Sequence, residues 1–292
     1  MHFQYWGLRE RPFQNATDTR FAYLSDQHRE GLARLLYLVE EQKLGGTLSG
    51  PYGVGKSMVM ELLAEKIRNR PGTLYIQLDA PPVSTLAFAK QFLARLGHRQ
   101  PIDDLAAALD IIQALFAEDN PATRHLVLSI DEAQMLRENA SFEFLHLLSN
   151  IRVRRRDGTP VDTAITILLS GHHDLLQHMA AEPSLAQRFQ FNWRLEPLND
   201  RQVVEYVQHR VRAAGGDIWI FEEGALQEVF QASQGLPRLI NNMCDTAMLI
   251  GCAMHASRIT GDIMHQAIHE TQTPALQLAS ASNPGGHHDE RA

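Results

Sequence analysis

Apolar positions along the chain follow two patterns, and the pattern changes near residue 199. Before that point, short continuous apolar runs alternate with stretches in which apolar residues recur every three or four positions. The continuous runs predict strands over 45–49, 73–78, 126–130 and 164–169. The periodic stretches predict helices over 25–42, 58–68, 84–96, 103–116 and 140–151. Apolar strands that alternate with helices indicate a parallel sheet covered by helices on both faces.

Beyond residue 199 the pattern is helical, with no convincing strand. It predicts helices over 200–213, 222–233, 237–254 and 260–269. The chain therefore divides into four predicted segments. These are an aromatic-rich N-terminal segment (1–24), an α/β domain (25–197), an all-helical subdomain (199–270) and a flexible polar tail (271–292).

Composition narrows the class of protein. Hydrophobic residues make up 44% and charged residues 21% of the 292 residues, values typical of a soluble globular protein. The net charge of −7 gives no global sign of a nucleic-acid partner. The first residues lack the pattern of a signal peptide, and no apolar run approaches the ~18 residues that span a membrane. Cys244 and Cys252 fit no zinc or redox pattern. We expect a cytoplasmic protein without a membrane span.

Residues 50–57, Gly50-Pro51-Tyr52-Gly53-Val54-Gly55-Lys56-Ser57, fit the phosphate-loop pattern G-x-x-x-x-G-K-[ST]. The run lies between a predicted strand and a predicted helix. Such a turn points backbone N–H groups inward at the positive end of the helix dipole, where they hold phosphates. We expect Lys56 to reach the β- and γ-phosphates, Ser57 to ligate Mg²⁺, and Met58 to complete the nucleotide contacts. The sequence therefore predicts a nucleotide-binding protein that uses ATP and Mg²⁺.

A second motif, a pair of carboxylates after an apolar strand, predicts ATP hydrolysis in addition to ATP binding. The apolar strand 126–130 is followed by Asp131 and Glu132. Ligands of open α/β sheets bind at the carboxyl ends of the strands, so both carboxylates are predicted to lie near the phosphate loop. Asp131 would hold the Mg²⁺ and Glu132 would orient the attacking water. We therefore expect an ATPase.

The order of these elements resembles that of the AAA+ proteins, a parallel-sheet P-loop NTPase domain followed by an all-helical lid. The chain is similar to the ExeA-like ATPases (general secretion pathway protein A and relatives), which share features with transposition ATPases of the TniB and TnsC type. The residues that carry the resemblance are Tyr5-Trp6-Gly7-Leu8-Arg9-Glu10-Arg11-Pro12-Phe13, Tyr23-Leu24-Ser25 with His28, Ile130-Asp131-Glu132-Ala133-Gln134, Leu147-Leu148-Ser149-Asn150, Gln187-Arg188-Phe189 and Gly235-Leu236-Pro237-Arg238.

The resemblance implies roles for further residues. Arg238 would reach the γ-phosphate from the lid of the same subunit, as a sensor-2 arginine. Arg188 would act as an arginine finger on the nucleotide of a neighbouring subunit, with Arg194 and Arg201 as alternatives. The protein would then work as a homo-oligomer, a ring or a filament. The number of subunits is left open.

The resemblance also implies a polar sensor-1 residue after the fourth predicted strand. Either Ser170 or His172 fits, because this chain has Gly171-His172-His173-Asp174-Leu175 where relatives often have Gly-Gln-Pro-Glu-Leu. We expect no metal at the paired histidines, since consecutive side chains usually point apart and no third ligand is evident.

Four arginines, Arg152, Arg154, Arg155 and Arg156, lie where AAA+ proteins have a loop lining the central pore. They could contact the phosphate backbone of DNA. Alternatively, they are the solvated C-terminus of a helix, where cations complement the dipole.

Two pathways fit the resemblance. We expect the protein to couple ATP to subunit assembly or partner remodelling, either in DNA transposition or recombination, or in envelope secretion or pilus assembly. Secretion-type relatives are longer, with a membrane helix and a periplasmic domain, and this difference favours the DNA-linked role. A nucleotide-regulated switch with little turnover is a third alternative, against which Glu132 argues.

Overall fold

The computed structural model describes residues 2–82, 84–117, 125–136, 139–151, 153–154, 160–161 and 165–281 of the chain. It divides into two compact units. One comprises residues 24–196, here called the α/β unit. The other comprises residues 1–23 together with 197–292, here called the helical unit.

The elements follow in chain order. The N-terminal half has α1 (His2–Tyr5), α2 (Asp26–Glu40), β1 (Gly45–Ser49), α3 (Lys56–Ile67), β2 (Thr73–Leu78), α4 (Thr85–Arg95), α5 (Leu105–Ala117), β3 (His125–Ile130) and α6 (Asn139–Ser149). The remainder has β4 (Val153–Arg154), β5 (Pro160–Val161), β6 (Ile165–Gly171), α7 (Asp174–Ala180), α8 (Pro183–Ala186), β7 (Phe189–Arg194), α9 (Asp200–Ala213), α10 (Glu223–Ser233), α11 (Pro237–Ala253) and α12 (Gly261–Ala281). Short 3-10 turns lie at Thr19–Phe21, Ala133–Met135 and Ile218–Ile220.

Within the described ranges, five strands of the α/β unit form one sheet in the order β2-β3-β6-β1-β7. Every neighbouring pair in this sheet is parallel. The strands β1, β3 and β6 are buried along their whole length. Because these three strands are parallel, their carboxyl ends meet at one edge of the sheet. At this edge the chain continues into residues 50, 131 and 172.

The predicted fold class is confirmed: a parallel sheet flanked by helices, followed by helices alone. One element of the sheet was not predicted. The edge strand β7, with sequence Phe189-Gln190-Phe191-Asn192-Trp193-Arg194, pairs with β1. Its aromatic residues alternate with polar ones, which is the pattern of a strand buried on one face only.

The two units have separate cores. In the α/β unit the aromatic centre is Phe88, Phe92 and Phe144, with Phe88 and Phe144 ring centroids 4.7 Å apart. In the helical unit, side chains of α9 to α12 pack with aromatic residues of the N-terminal segment. The Trp6 indole N–H donates to the carbonyl of Met248 at 2.9 Å, so the N-terminal segment is fixed to α11 by a buried hydrogen bond.

The later part of the chain differs from the prediction in its last helix, which extends into the segment predicted to be a flexible tail. The last helix, predicted over 260–269, runs to Ala281. No described helix is long and apolar enough to cross a membrane. The arginine run lies outside the described residues, except that the backbone of Arg154 forms part of the short antiparallel pair β4–β5.

Candidate functional site

The phosphate loop connects β1 to α3 in a conformation that depends on its glycines. Gly55 has φ 111° and caps the N-terminus of α3, in a backbone region that side chains rarely adopt. Gly50 lies so close to the chain after β7 that an added Cβ would stand 2.6 Å from the Leu195 carbonyl oxygen. Both positions therefore exclude other residues for a steric reason, and they give the loop its turn into α3.

Lys56 is the first residue of α3 and is buried, with 8% of its surface exposed. Its ammonium group donates to the carbonyl oxygens of Gly50 at 2.9 Å and Pro51 at 3.0 Å. The side chain thus folds back over its own loop. This places a positive charge within the turn that the sequence predicts to hold phosphates.

Ser57 and Asp131 meet although 74 positions separate them along the chain. The Ser57 hydroxyl donates to Asp131 Oδ2 at 2.8 Å, which joins the start of α3 to the end of β3. The other carboxylate oxygen of Asp131 accepts from the backbone N–H of Glu132 at 2.9 Å. A hydroxyl and a carboxylate are hard oxygen ligands of the kind that Mg²⁺ prefers. The pair therefore fits the metal that the sequence predicts.

Glu132 has a left-handed backbone conformation, with φ 49°. Such a conformation is uncommon outside glycine and often occurs at functional sites. The carbonyl of Glu132 accepts from Met135 N–H at 2.9 Å, which closes the following 3-10 turn. Its carboxylate accepts a hydrogen bond from the side-chain amide of Gln134. Glu132 is therefore held at both its backbone and its side chain.

Gln134 is a site residue for which no role was predicted. It is 5% exposed, and its amide contacts Glu132, the backbone of His172 and the hydroxyl of Tyr52. The available signal was its place in Ile130-Asp131-Glu132-Ala133-Gln134, one of the motifs of the resemblance. Its contact with His172 depends on the pairing of β6 with β3, which brings the end of β6 next to Gln134.

The two sensor-1 candidates have different surroundings at the end of β6. Ser170 is fully buried, and its hydroxyl has no hydrogen-bond partner among the described residues. The His172 ring stacks on Tyr52 of the phosphate loop, with centroids 4.8 Å apart. Each candidate therefore has one property of a nucleotide sensor, and the choice between them stays open.

The histidine pair differs in geometry from the expectation that consecutive side chains point apart. The rings of His172 and His173 have centroids 3.7 Å apart, and each ring has a nitrogen 3.2 Å from the carboxylate of Asp174. The hydrogen bond from His172 holds the pKa of Asp174 below its usual value. The expectation that no third ligand is present is therefore wrong, because Asp174 brings one oxygen to within 4.8 Å of the two histidine nitrogens, although exposed acidic groups commonly form such clusters without an ion.

His28 of α2 supports the phosphate loop from within the α/β unit. Its Nε2 lies 3.0 Å from the carbonyl oxygen of Val54, and its Nδ1 lies 2.6 Å from the Ser25 hydroxyl. Burial lowers the pKa of His28, which favours the neutral ring. Because a carbonyl can only accept, Nε2 carries the proton and Nδ1 accepts from Ser25. His28 therefore fixes the backbone next to Gly55.

The candidate arginines lie in different places. The Arg188 guanidinium donates to Ser149 Oγ at 3.0 Å and Asn150 Oδ1 at 2.8 Å, so two motifs of the resemblance meet at the end of α6. Arg194 and Arg201 pair with Glu196 and Glu205. Arg238 is the second residue of α11 in the helical unit, whereas the phosphate loop belongs to the α/β unit. Its predicted role in the same subunit stays a prediction.

Comparison with known proteins gives the family. The model of an AAA domain matches residues 39–179, the range that holds both motifs of the site. General secretion pathway protein A of Aeromonas hydrophila is 30% identical over 272 residues, 90% of this chain. This chain spans 47% of the length of that protein.

Solved structures share the fold. The Aeropyrum pernix ORC2 protein in ADPNP–ADP complexes has a TM-score of 0.65 at 16% identity, covering 94% of this chain and 75% of that one. Drosophila ORC bound to DNA has a TM-score of 0.66 at 17% identity, with 94% and 67% covered. The Thermotoga maritima RuvB Holliday junction branch migration motor has a TM-score of 0.53 at 17% identity, with 85% and 69% covered.

These similarities confirm the resemblance inferred from the motifs. The phosphate loop, the Asp131–Glu132 pair and the matched domain coincide in one unit of the structure. The chain carries an AAA domain, has the AAA+ P-loop fold and is similar over 90% of its length to general secretion pathway protein A.

Proposed function

We propose that the protein binds ATP with Mg²⁺ and hydrolyses it. The observation that carries this proposal is the 2.8 Å contact between Ser57 and Asp131 beside the turn closed by Lys56. Two residues with the oxygen ligands for Mg²⁺ are thereby held next to the loop whose backbone N–H groups would bind phosphate.

Each residue of the site has a separate task in this proposal. The loop 50–57 and Lys56 bind the phosphates, while Ser57 and Asp131 hold the metal. Bound Mg²⁺ would neutralise phosphate charge as it develops. Glu132 orients the attacking water and accepts its proton. Positioning and charge stabilisation supply most of the rate enhancement in phosphoryl transfer, so the chain's contribution is mainly geometric.

The test separates binding from turnover. Glu132→Gln keeps the shape of the side chain but removes its basicity, so we expect normal ATP affinity and a loss of turnover of about a hundredfold or more. The exposed Glu65→Gln on α3 is a matched control that should turn over like the unchanged protein. Equal rates in the Glu132→Gln variant and the unchanged protein would refute the assignment.

We further propose that hydrolysis depends on a neighbouring subunit. The support is the place of Arg188 in the chain's resemblance to AAA+ proteins, together with its anchoring at the end of α6. Arg238 would act on the nucleotide of its own subunit. Mixing Arg188→Ala subunits with Lys56→Ala subunits should restore part of the activity that each lacks alone. Absence of recovery at every mixing ratio argues against a finger at Arg188.

The output of the ATPase is proposed to be ATP-dependent assembly on DNA, as in transposition or recombination. Structural neighbours include ORC bound to DNA and the RuvB branch migration motor, and these support the proposal at the level of the fold. The competing proposal is a secretion or pilus-assembly ATPase, which the similarity to general secretion pathway protein A favours.

Binding to duplex DNA with ATP, with ADP and without nucleotide distinguishes the two outputs. A DNA-linked protein should bind with ATP, with an affinity that falls steeply as salt rises. Replacing Arg154, Arg155 and Arg156 together should weaken this binding and reduce the salt dependence. Lack of binding in every nucleotide state would favour a protein partner at the envelope instead.

A further inference from the structure

Gln134 lies between three parts of the candidate site, and one buried amide contacts all of them. Its Oε1 accepts from the backbone N–H of His172 at 2.8 Å. Its Nε2 donates to the Glu132 carboxylate and lies 3.5 Å from the Tyr52 hydroxyl. We propose that Gln134 is a positioning residue that holds Glu132 in place for the attacking water. This inference rests on the proposed ATPase function.

The orientation of the amide follows from its partners. A backbone N–H can only donate, so the oxygen of the Gln134 amide must face His172. The NH₂ group is then directed to the Glu132 carboxylate, which can only accept. The backbone N–H at the end of β6 therefore orients the Gln134 amide, and the amide in turn orients the Glu132 carboxylate.

The packing at Gly171 supports a close fit. An added Cβ on Gly171 would lie 2.6 Å from Gln134 Oε1 and 3.1 Å from the Gln134 backbone nitrogen. The end of β6 and the 3-10 turn that carries Gln134 thus approach to a distance that only glycine permits. A displacement of β6 would therefore move the amide.

Glu132 requires such an external support because its own backbone is unfavourable. A left-handed conformation at a non-glycine residue costs energy and persists only where the surroundings fix it. The Asp131 carboxylate fixes the backbone N–H of Glu132 at 2.9 Å, but this contact leaves the side chain undirected. Among the described residues, the contact from Gln134 is the hydrogen bond that directs the carboxylate.

The experiment measures turnover and nucleotide affinity separately in two variants of the full chain. Gln134→Met keeps the length of the side chain but removes both hydrogen-bonding groups. We expect kcat to fall about 10- to 100-fold, because a misplaced general base loses rate without loss of binding. The dissociation constant for the nucleotide should change by less than about twofold, because Gln134 reaches the phosphate loop only through the 3.5 Å approach to the Tyr52 hydroxyl, whereas the backbone N–H groups of the loop are proposed to hold the phosphates.

Gln134→Glu separates positioning from a structural role. It keeps an oxygen for the His172 N–H but puts a carboxylate against Glu132, so positioning requires kcat to fall at least as far as in Gln134→Met. A residue that merely anchors β6 would tolerate Gln134→Glu better. Gln266→Met is the matched control, because the Gln266 amide also donates to a glutamate, Glu270, but on α12 of the helical unit. It should leave kcat unchanged.

Three results would overturn the inference. These are wild-type kcat in Gln134→Met, a milder defect in Gln134→Glu than in Gln134→Met, and a loss confined to nucleotide affinity. The Glu132→Gln variant separates this failure from that of the proposed function. If Glu132→Gln stops turnover while Gln134→Met does not, only the role of Gln134 fails. If Glu132→Gln turns over normally, the proposed role of Glu132 fails and the inference fails with it. If the unchanged protein does not turn over ATP, the proposed function itself fails.

Discussion

Among the residues that the structure describes, the α/β unit and the helical unit each have a cation buried against backbone carbonyl groups. In the α/β unit, Lys56 donates to the carbonyls of Gly50 and Pro51 in its own glycine loop. In the helical unit, Arg210 of α9 donates to the carbonyls of Pro12 and Gln14 in the N-terminal segment. The two side chains have similar burial, at 8% and 4% exposed surface.

The two cations differ in geometry and therefore in use. The Arg210 guanidinium is a planar fork, and it also donates to the Tyr206 hydroxyl while lying over the Phe21 ring. This fixed set of partners connects the N-terminal segment to α9. The Lys56 ammonium is a compact charge on a flexible stem, so it can exchange carbonyl partners for phosphate oxygens. Similar burial of a cation thus supports structure in one unit and, under the proposed function, phosphate binding in the other.

The largest effect is expected at Lys56. Lys56→Ala removes the charge next to the phosphate loop, so ATP affinity should fall about a thousandfold, the equivalent of two charge-assisted hydrogen bonds. Titration with a fluorescent ATP analogue measures the affinity. Lys66→Ala, on the exposed face of the same helix, is the matched control and should bind normally. Equal affinities in the two variants would remove the distinction between Lys56 and Arg210.

Much of this comparison was predictable from local sequence, because the phosphate loop is a contiguous motif. The chemistry of Lys56, Ser57 and Asp131 follows from spacing and from the carboxyl-end rule for parallel sheets. The role of Arg210 was not predictable, since its partners Pro12 and Gln14 are nearly 200 positions away. Long-range backbone acceptors leave no pattern in a single sequence.

The same limit explains what the sequence missed in the site itself. The strand β7 has the alternation of a half-buried edge strand, but no strand was predicted over its six residues. The contacts of Gln134 depend on the pairing of β3 with β6, which the sequence predicts only as a general topology. The strands β1, β2, β3 and β6 were therefore predictable, whereas the edge strand β7 and the side-chain networks across strands were not.

Arg210→Met should produce the next largest effect, on stability. The variant leaves two carbonyl groups and a hydroxyl without their donor, so the free energy of unfolding of the helical unit should fall by about 3 kcal/mol. Denaturant unfolding together with hydrogen exchange of residues 9–15 measures the loss. Arg212→Met, at an exposed position of the same helix, should change little. ATP affinity should stay within about twofold, and a large loss of affinity would show that Arg210 also serves the site.

A buried histidine of the α/β unit gives a smaller, pH-dependent effect. His125 at the start of β3 has Nε2 2.8 Å from Thr166 Oγ1, and burial lowers its pKa from 6.5 to about 4. In the unfolded chain His125 is protonated below about pH 6.5, whereas in the folded chain it is protonated only near pH 4. Stability is therefore present above pH 6.5 and is lost as pH falls towards 4, by about 2 kcal/mol at pH 5.

Unfolding by urea at pH 7.5 and at pH 5 tests this sign. Burial also lowers the pKa of His28, so the unchanged protein should lose stability from more than one histidine. The variant His125→Gln keeps a donor for Thr166 but has no titrating group at this position. Its free energy of unfolding should therefore fall less between the two pH values, by the contribution of His125. Parallel losses in the variant and the unchanged protein would contradict the assignment.

The smallest effect is expected at His28, whose hydrogen bond to the Val54 carbonyl holds the backbone of the phosphate loop. His28→Phe retains approximately the ring volume but removes the donor to the Val54 carbonyl. One neutral hydrogen bond of this kind contributes about 1 kcal/mol. ATP affinity should therefore weaken about fivefold, because the backbone next to Gly55 becomes less well ordered before ATP binds. Ser25→Ala removes only the partner of Nδ1 and should weaken affinity by less. If His28→Phe matched Lys56→Ala in its loss, the histidine would contact the nucleotide itself. If it bound ATP as well as the unchanged protein does, the order of the loop would come from its glycines and from Lys56, without a contribution from His28.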